Sequence, residues 1–459
     1  MKRTRIIGLI AVLAMVLAAC GGDDAETTTT AAPDEPTVTT AAPDEPTTTA
    51  AGDDVTETTA EASADGPLAE YGESTDADPA LVERALGPVG EAPDIVLASI
   101  ARADQDLDQA TIDKAMECWS NQQCDTGSGG ELVMGYADGG GDTVNVWRGV
   151  SHMEAILQAL TYPEIGTIVS TAANFNADPA VHANDVRFLI QRGVDFIVGY
   201  PDVGIALAPA VLEAEAAGIP YISFSAGYVG LPGQEGALIP GEDYTAVVGE
   251  DLCALGESFA DVLNDGVGAG EIGVLGGTPG NALTLGWQRC LIPALSDGVD
   301  VANPPADENS TTGDTFWVNS FALDAARGIL TTNPDVRGWA YEYSDGLFTA
   351  LQAYDELAIP VENLTVALRT DEQTLFCDWA ERGEPTYNIW YSAGGNFQSR
   401  TAVTVGMLTL AGYDVGGEVT VPHVMRQVTA ADCNPDRVNE VVSGTSLVPD
   451  EVLALMFGG

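Results

Sequence analysis

The sequence predicts an α/β protein made of two similar halves, each holding a mainly parallel sheet. Three observations predict it. From position 131 onward, short apolar, β-branched runs alternate with longer helical stretches, the pattern of βαβ units. The run Phe196-Ile197-Val198 is continuously apolar, as strands covered on both faces are. The pattern then breaks near Gly241 and starts again, so the halves have similar length.

The elements follow in order. In the first half, strands are expected at 131–137, 166–173, 194–200 and 221–225, and helices at 143–160, 179–192 and 203–217. In the second half, helices are expected at 244–263, 282–295, 315–330 and 346–357. Strands are expected there at 272–276, 338–343, 364–368 and 388–391, and a last helix at 396–411. This gives a first lobe at 131–240, with a return segment near 305–330 or 392–412. A second lobe covers 241–391, and 392–459 holds a recrossing helix and a C-terminal segment. Residues 67–130 form a leading helical segment, with helices at 79–86 and 107–119. They end in a small loop between Cys118 and Cys124.

The N-terminus reads as an export signal. Lys2, Arg3 and Arg5 precede an apolar run at 6–19, which ends in Leu17-Ala18-Ala19-Cys20. A basic start, a short apolar stretch and small residues before a cut site are the parts of a secretion signal. The run is shorter than the roughly 20 apolar residues that span a bilayer. The Leu-Ala-Ala-Cys ending resembles a bacterial lipobox, which implies lipidation at Cys20 and anchoring to the outside of the cell membrane. Residues 21–66 consist almost entirely of Thr, Ala, Pro, Asp, Glu and Gly, with Ala-Ala-Pro-Asp-Glu-Pro-Thr at 31–37 and again at 41–47. Such a composition buries too little apolar surface to offset ordering entropy, and its Pro and like charges extend it. It is read as a disordered tether.

Charge excludes one class of partner. The chain carries 69 acidic and 17 basic residues, a formal net charge of −52. Nucleic-acid binding needs basic patches against phosphates, and the sequence holds none. A surface this acidic also avoids anionic headgroups, so lipid, not charge, must hold it to a membrane. Cysteine usage fits export. Chain order favours the pairs Cys118–Cys124, Cys253–Cys290 and Cys377–Cys433, although composition alone leaves other pairings open. No C-x-x-C occurs, and His152, His182 and His423 stand apart, so no metal site is expected. No cofactor motif is evident either. Asp138-Gly139-Gly140-Gly141 lacks the spacing and the base of a dinucleotide or phosphate loop. No G-x-S-x-G elbow supports Ser223 or Ser225 as a nucleophile, and the chain is read as a non-enzyme.

Particular motifs carry a resemblance. Gly193-Val194-Asp195 leads into Phe196-Ile197-Val198, and Ala217-Gly218-Ile219-Pro220 leads into Tyr221-Ile222-Ser223. Later, Ile272 to Gly276 leads through Gly277-Thr278-Pro279-Gly280-Asn281 into a helix, and Asn333-Pro334-Asp335 leads to Tyr343-Ser344-Asp345. Over about 131–412 the chain resembles type I periplasmic binding proteins, the ribose- and sugar-binding branch that serves ABC importers. The resemblance implies two Rossmann-like lobes joined by three crossovers, with a ligand between them. It implies a monomeric solute-binding lipoprotein that hands a sugar or other small polar solute to an ABC permease. A ligand sensor of the same fold is the alternative, and a surface hydrolase a more remote one.

The resemblance also points to site residues. Asp138 and Trp147 follow the first strand, where a polar group and an aromatic face meet the ligand; a helix cap and a core residue are the other readings. Tyr200 precedes Pro201-Asp202. Ser225 stands where sugar binders carry Asp, and Ala226 replaces the Arg that follows it. Asn281 lies in the turn before a helix that usually presents Arg, whereas this chain has Leu283 and Thr284 there. Tyr343 and Asp345 end a second-half strand, Asp345 being the strongest candidate, with an N-cap as its alternative. Trp390 and Tyr391 sit at a late crossover, with hinge packing as the alternative. Aromatic faces and charged hydrogen-bonding groups suit a sugar's C–H faces and hydroxyl rim.

Overall fold

The computed structural model describes residues 68–458, except 106, 139–144, 172–177, 383–386, 393–394 and 435–443. The leader, Cys20, the tether and Gly139 to Gly141 lie outside the described residues.

Three helices come first: α1 (Pro79–Leu86), α2 (Asp94–Ala101) and α3 (Gln109–Ser120). Asp78 caps α1 and Asp108 caps α3, each accepting a backbone N–H of the first turn. The first lobe holds β1 (Gln123–Asp125), β2 (Leu132–Asp138), α4 (Val146–Leu160), β3 (Ile165–Ser170), α5 (Pro179–Arg192), β4 (Phe196–Tyr200), α6 (Ala208–Ala216), β5 (Tyr221–Ser223) and β6 (Ala246–Gly249). The second holds α7 (Leu252–Val267), β7 (Gly270–Val274), α8 (Ala282–Ala294), β8 (Val299–Val301), α9 (Asn319–Thr332), β9 (Val336–Tyr341), α10 (Ser344–Leu357), β10 (Leu364–Leu368), α11 (Gln373–Glu381) and β11 (Tyr387–Tyr391). The chain then returns as α12 (Gln398–Leu410) and β12 (Glu418–Thr420), crosses back as β13 (Arg426–Gln427), and ends in α13 (Asp450–Phe457).

The first sheet has the order β1-β3-β2-β4-β5-β6-β12 and the second β13-β11-β10-β9-β7-β8. Pairing is parallel except for β1 with β3 and β11 with β13. Helices cover both faces of each sheet. In the first lobe, α4 and α12 lie on one face and α5 and α6 on the other; in the second, α7 and α8 oppose α9, α10 and α11. Strands so enclosed must be apolar throughout, and Phe196, Ile197 and Val198 are fully buried. Among the described residues the two sheets are linked at three places: 250–251, 392–397 and 421–425.

Two expectations need correction, and of the two alternatives for the return segment the structure takes the one at 392–412. Residues 246–249 are a strand of the first sheet, so the lobe boundary lies near 250 and not near 241. The return to the first lobe runs through α12; the region around 319–332 packs on α10 within the second lobe. The expected helix start at 315 is a tight turn instead, and α9 begins at Asn319. The three local cysteine pairs stand within bonding distance, with Cα–Cα separations of 5.0, 5.1 and 4.8 Å.

Candidate functional site

The carboxyl ends of the strands in both sheets face one another across a cleft, the place where open α/β sheets take up ligands. Asn145, Trp147, Arg148, Tyr200 and Ser225 line it from the first lobe. Leu283, Trp317, Glu342, Tyr343, Arg369 and Thr370 line it from the second. The enclosed volume is about 20 Å³, room for about one water, because the aromatic rings nearly fill the space.

Two arginines dominate its chemistry. Arg148, in the first turn of α4, is ion-paired to Asp138 at the end of β2 and to Asp202 beyond β4, the latter at 2.8 Å. Burial opposes the guanidinium charge, but the two carboxylates outweigh it and raise its pKa. Its plane lies 4.9 Å from the Tyr200 ring centre and 5.1 Å from that of Trp317. Arg369, which follows β10, reaches across to the first lobe. Its Nε and Nη2 donate to Glu250 and its Nη2 also to Ser225 Oγ, at 2.8–3.2 Å. Its Nη1 makes no protein hydrogen bond among the described residues. Burial works to raise the Glu250 pKa, but the facing Arg369 together with hydrogen bonds to the carboxylate leaves it lowered.

Glu342, just past β9, is buried and accepts from Thr284, Trp287 and Trp317. Burial pushes its pKa up to about 7 against the pull of those donors. Asn145 lines the cavity, and its buried side-chain oxygen has no hydrogen-bond partner among the described residues. A buried unpaired acceptor costs free energy that a bound donor would recover.

Strained backbone aims the walls. Ser225 and Ala226 (φ 60° and 50°) and Phe316 and Trp317 (φ 54° and 53°) occupy the left-handed region that non-glycine residues rarely adopt. The second pair turns the Trp317 ring onto Gly277, where any side chain would collide with the indole. Thr315 Oγ1 accepts the Trp317 N–H at 3.1 Å and fixes that turn. The lobes also touch directly. Asn281 Nδ2 donates to the Asp202 carbonyl at 2.9 Å, and Tyr200 donates to Asn281 Oδ1 at 3.4 Å.

Of the residues read from the sequence, Trp147, Tyr200, Ser225 and Tyr343 line the cavity. Asp138 lies beneath it, holding Arg148. Asn281 caps α8 through Leu283 N and ties the lobes together. Asp345 stands behind Tyr343, accepting from its hydroxyl and from Asn319 at 2.6 Å, and does not line the cavity. Trp390 and Tyr391 are also outside it. Trp390 borders a groove of about 570 Å³ against α7, and Tyr391 a polar cavity of about 340 Å³ with Arg426 and Asp432. Sequence reasoning missed Asn145, Arg148, Trp317, Glu342 and Arg369. Arginine is missing at the two positions where the resemblance implies it, 226 and 283–284, yet two other arginines stand in the cleft. Arg148 directly follows Trp147, and Arg369 directly follows an apolar strand, so strand-end position was the available signal.

Two hinged α/β lobes with aromatic and arginine-bearing walls between them define a solute-binding protein. Residues 146–406 match the periplasmic binding protein domain family, and the chain belongs to that family. No curated protein matches the chain. Among solved structures, a periplasmic solute-binding protein of an ABC transporter from Actinobacillus succinogenes with bound D-allose is 18% identical. It covers 66% of this chain and 99% of its own, at a TM-score of 0.52. An ABC transporter solute-binding protein from Agrobacterium vitis with bound D-fucose is 17% identical, covering 68% and 100%, at 0.54. The fructose-binding periplasmic domain of a hybrid two-component system is 17% identical, covering 66% and 92%, at 0.53. At these identities the likeness is one of fold. The family works outside the cytoplasm, and among the described residues no helix is long and apolar enough to cross a membrane.

Proposed function

We propose that this chain is a lipid-anchored solute-binding protein that captures a small neutral sugar and delivers it to an ABC importer. The observation that carries the reading is the cleft itself. Trp147 and Trp317 offer apolar faces from opposite lobes, while Arg369 Nη1 and the Asn145 oxygen offer an unused donor and acceptor. Aromatic faces and charge-assisted hydrogen bonds suit a polyhydroxylated ring. Asp138, Asp202, Glu250 and Glu342 outnumber Arg148 and Arg369, which argues against an anionic guest. The solute enters when the lobes part, and closure surrounds it with contacts from both sides. The protein binds its guest without altering it. Cys20 carries the lipid, 21–66 gives reach from the membrane, and the protein acts as a monomer.

The test is isothermal calorimetry and thermal shift with D-allose, D-fucose, D-fructose and neutral pentoses. A sugar that binds raises the melting temperature by mass action; no shift with any of them sinks the reading. Labelling with a fatty-acid analogue, comparing the parent with Cys20→Ala, tests the anchor. A sensor is the second reading, favoured by the likeness to the fructose-binding domain of a two-component system. Uptake of the bound sugar by cells lacking this protein separates transport from sensing.

A further inference from the structure

The C-terminal residues form a connection between the lobes beyond the three strand and helix crossovers. Thr445 is held by the second lobe. Its backbone N–H donates to Asp371 Oδ2 at 2.9 Å and its hydroxyl to Asp371 Oδ1 at 3.2 Å. The next three residues are held by the first lobe. Ser446 Oγ, Leu447 N and Val448 N all donate to Glu154 Oε1, at 2.7, 2.7 and 3.2 Å. The other oxygen of Glu154 accepts from Arg400 of α12. All of these groups are buried. Beyond them α13 packs on α3, with Phe457 edge-on to Trp119. Gly444 adds a bond on each side: its N–H reaches the Asp371 carbonyl and its own carbonyl accepts from Arg84 of α1, both at 3.4 Å.

The two anchors are the ones that matter for the cleft. Asp371 lies two residues past Arg369, in the same short loop after β10. Glu154 lies on α4, about two turns past Trp147 and Arg148. One short segment thus grips both arginine-bearing walls at the hinge side. A hydrogen bond to a buried carboxylate is among the stronger ones, and leaving its partner unmet costs more. Parting the lobes moves Asp371 relative to Glu154, so it must strain or break one set of these bonds.

We propose that residues 444–457 are a positioning strap that limits how far the lobes open and so keeps Arg148 and Arg369 close to their ligand-ready separation. Thr445 and Ser446 act through Asp371 and Glu154; neither lines the cleft. The test measures the distance between lobes in the full chain without any guest, so its failure is distinct from failure of the sugar reading. Spin labels go on Leu212→Cys in α6 and Gln352→Cys in α10, both exposed and remote from the strap. Double electron–electron resonance then compares this protein with its Thr445→Val, Ser446→Ala form. The open fraction is expected to rise about tenfold. Should the double variant not fold, Ser446→Ala alone is expected to shift the distribution in the same direction by less. An unchanged distance distribution, with or without a lower melting temperature, overturns the proposal, because the bonds would then serve stability only.

Discussion

Arg369 of the second lobe and Glu250, beside the crossover at the end of the first lobe's sheet, form a fully buried ion pair, 2.9 Å apart, that joins the two lobes. Each carries side-chain exposure of 2%. Removing one partner of a buried pair strands the other, at about 3–5 kcal/mol. Arg369→Ala is therefore expected to favour the open form, raise the radius of gyration seen by small-angle scattering and weaken sugar binding by at least about tenfold. Arg369→Met with Glu250→Met is expected to restore most of the stability but not the affinity. Calorimetry and thermal melts check both.

The tryptophan walls give a second expectation. Trp147→Ala and Trp317→Ala should each weaken binding by about tenfold, since an aromatic contact contributes about 0.5–1.5 kcal/mol beyond area burial. Trp390→Ala is the control. It faces a groove outside the cleft and should leave affinity unchanged.

Gly277 tests how Trp317 is aimed. Gly277→Ala places a methyl where the indole now lies, so the ring must swing away. Binding should fall about as far as in Trp317→Ala while the melting temperature changes less. Equal affinity to the parent would show that the ring's position is immaterial.

Glu342 predicts a pH dependence. Its pKa is about 7 in the folded protein against an ordinary value of 4.5, because burial disfavours its charge. The folded form therefore holds more protons than the unfolded form between these values. That contribution to stability is full below about pH 4.5 and is lost as pH rises through about 7. Glu372 behaves alike, buried and raised to about 7. Glu342→Gln should lessen the fall in melting temperature between pH 5 and pH 8, roughly halving the joint contribution of the two groups. Identical slopes in the two proteins would contradict the assignment.

The halves were legible because enclosed parallel strands must be apolar, as at 196–198, and because turns such as Ala217-Gly218-Ile219-Pro220 mark their edges. What was lost is equally physical. Ala246–Gly249 is short and runs almost directly into α7, so its Val-Val pair reads as part of a helix. Trp390 and Tyr391 are adjacent in one strand, and adjacent strand residues face opposite sides, so the two cannot share a site. Asp345 matches the position of the family's ligand-contacting Asp, yet Glu342, nearer the strand end, reaches the cleft while Asp345 braces Tyr343. Trp317 depends on a left-handed turn at non-glycine residues, for which sequence carries no signal. Arg369 pairs with a residue 119 positions away, beyond the reach of local pattern.

Every cystine here joins neighbours in chain order: Cys118 with Cys124, Cys253 with Cys290, Cys377 with Cys433. Read from the N-terminus, each cysteine is followed by its mate before the next pair begins. Oxidation in chain order would yield these three pairs. No cystine joins α4 to the loop after β10, so the swing of one half against the other stays free of covalent bolts.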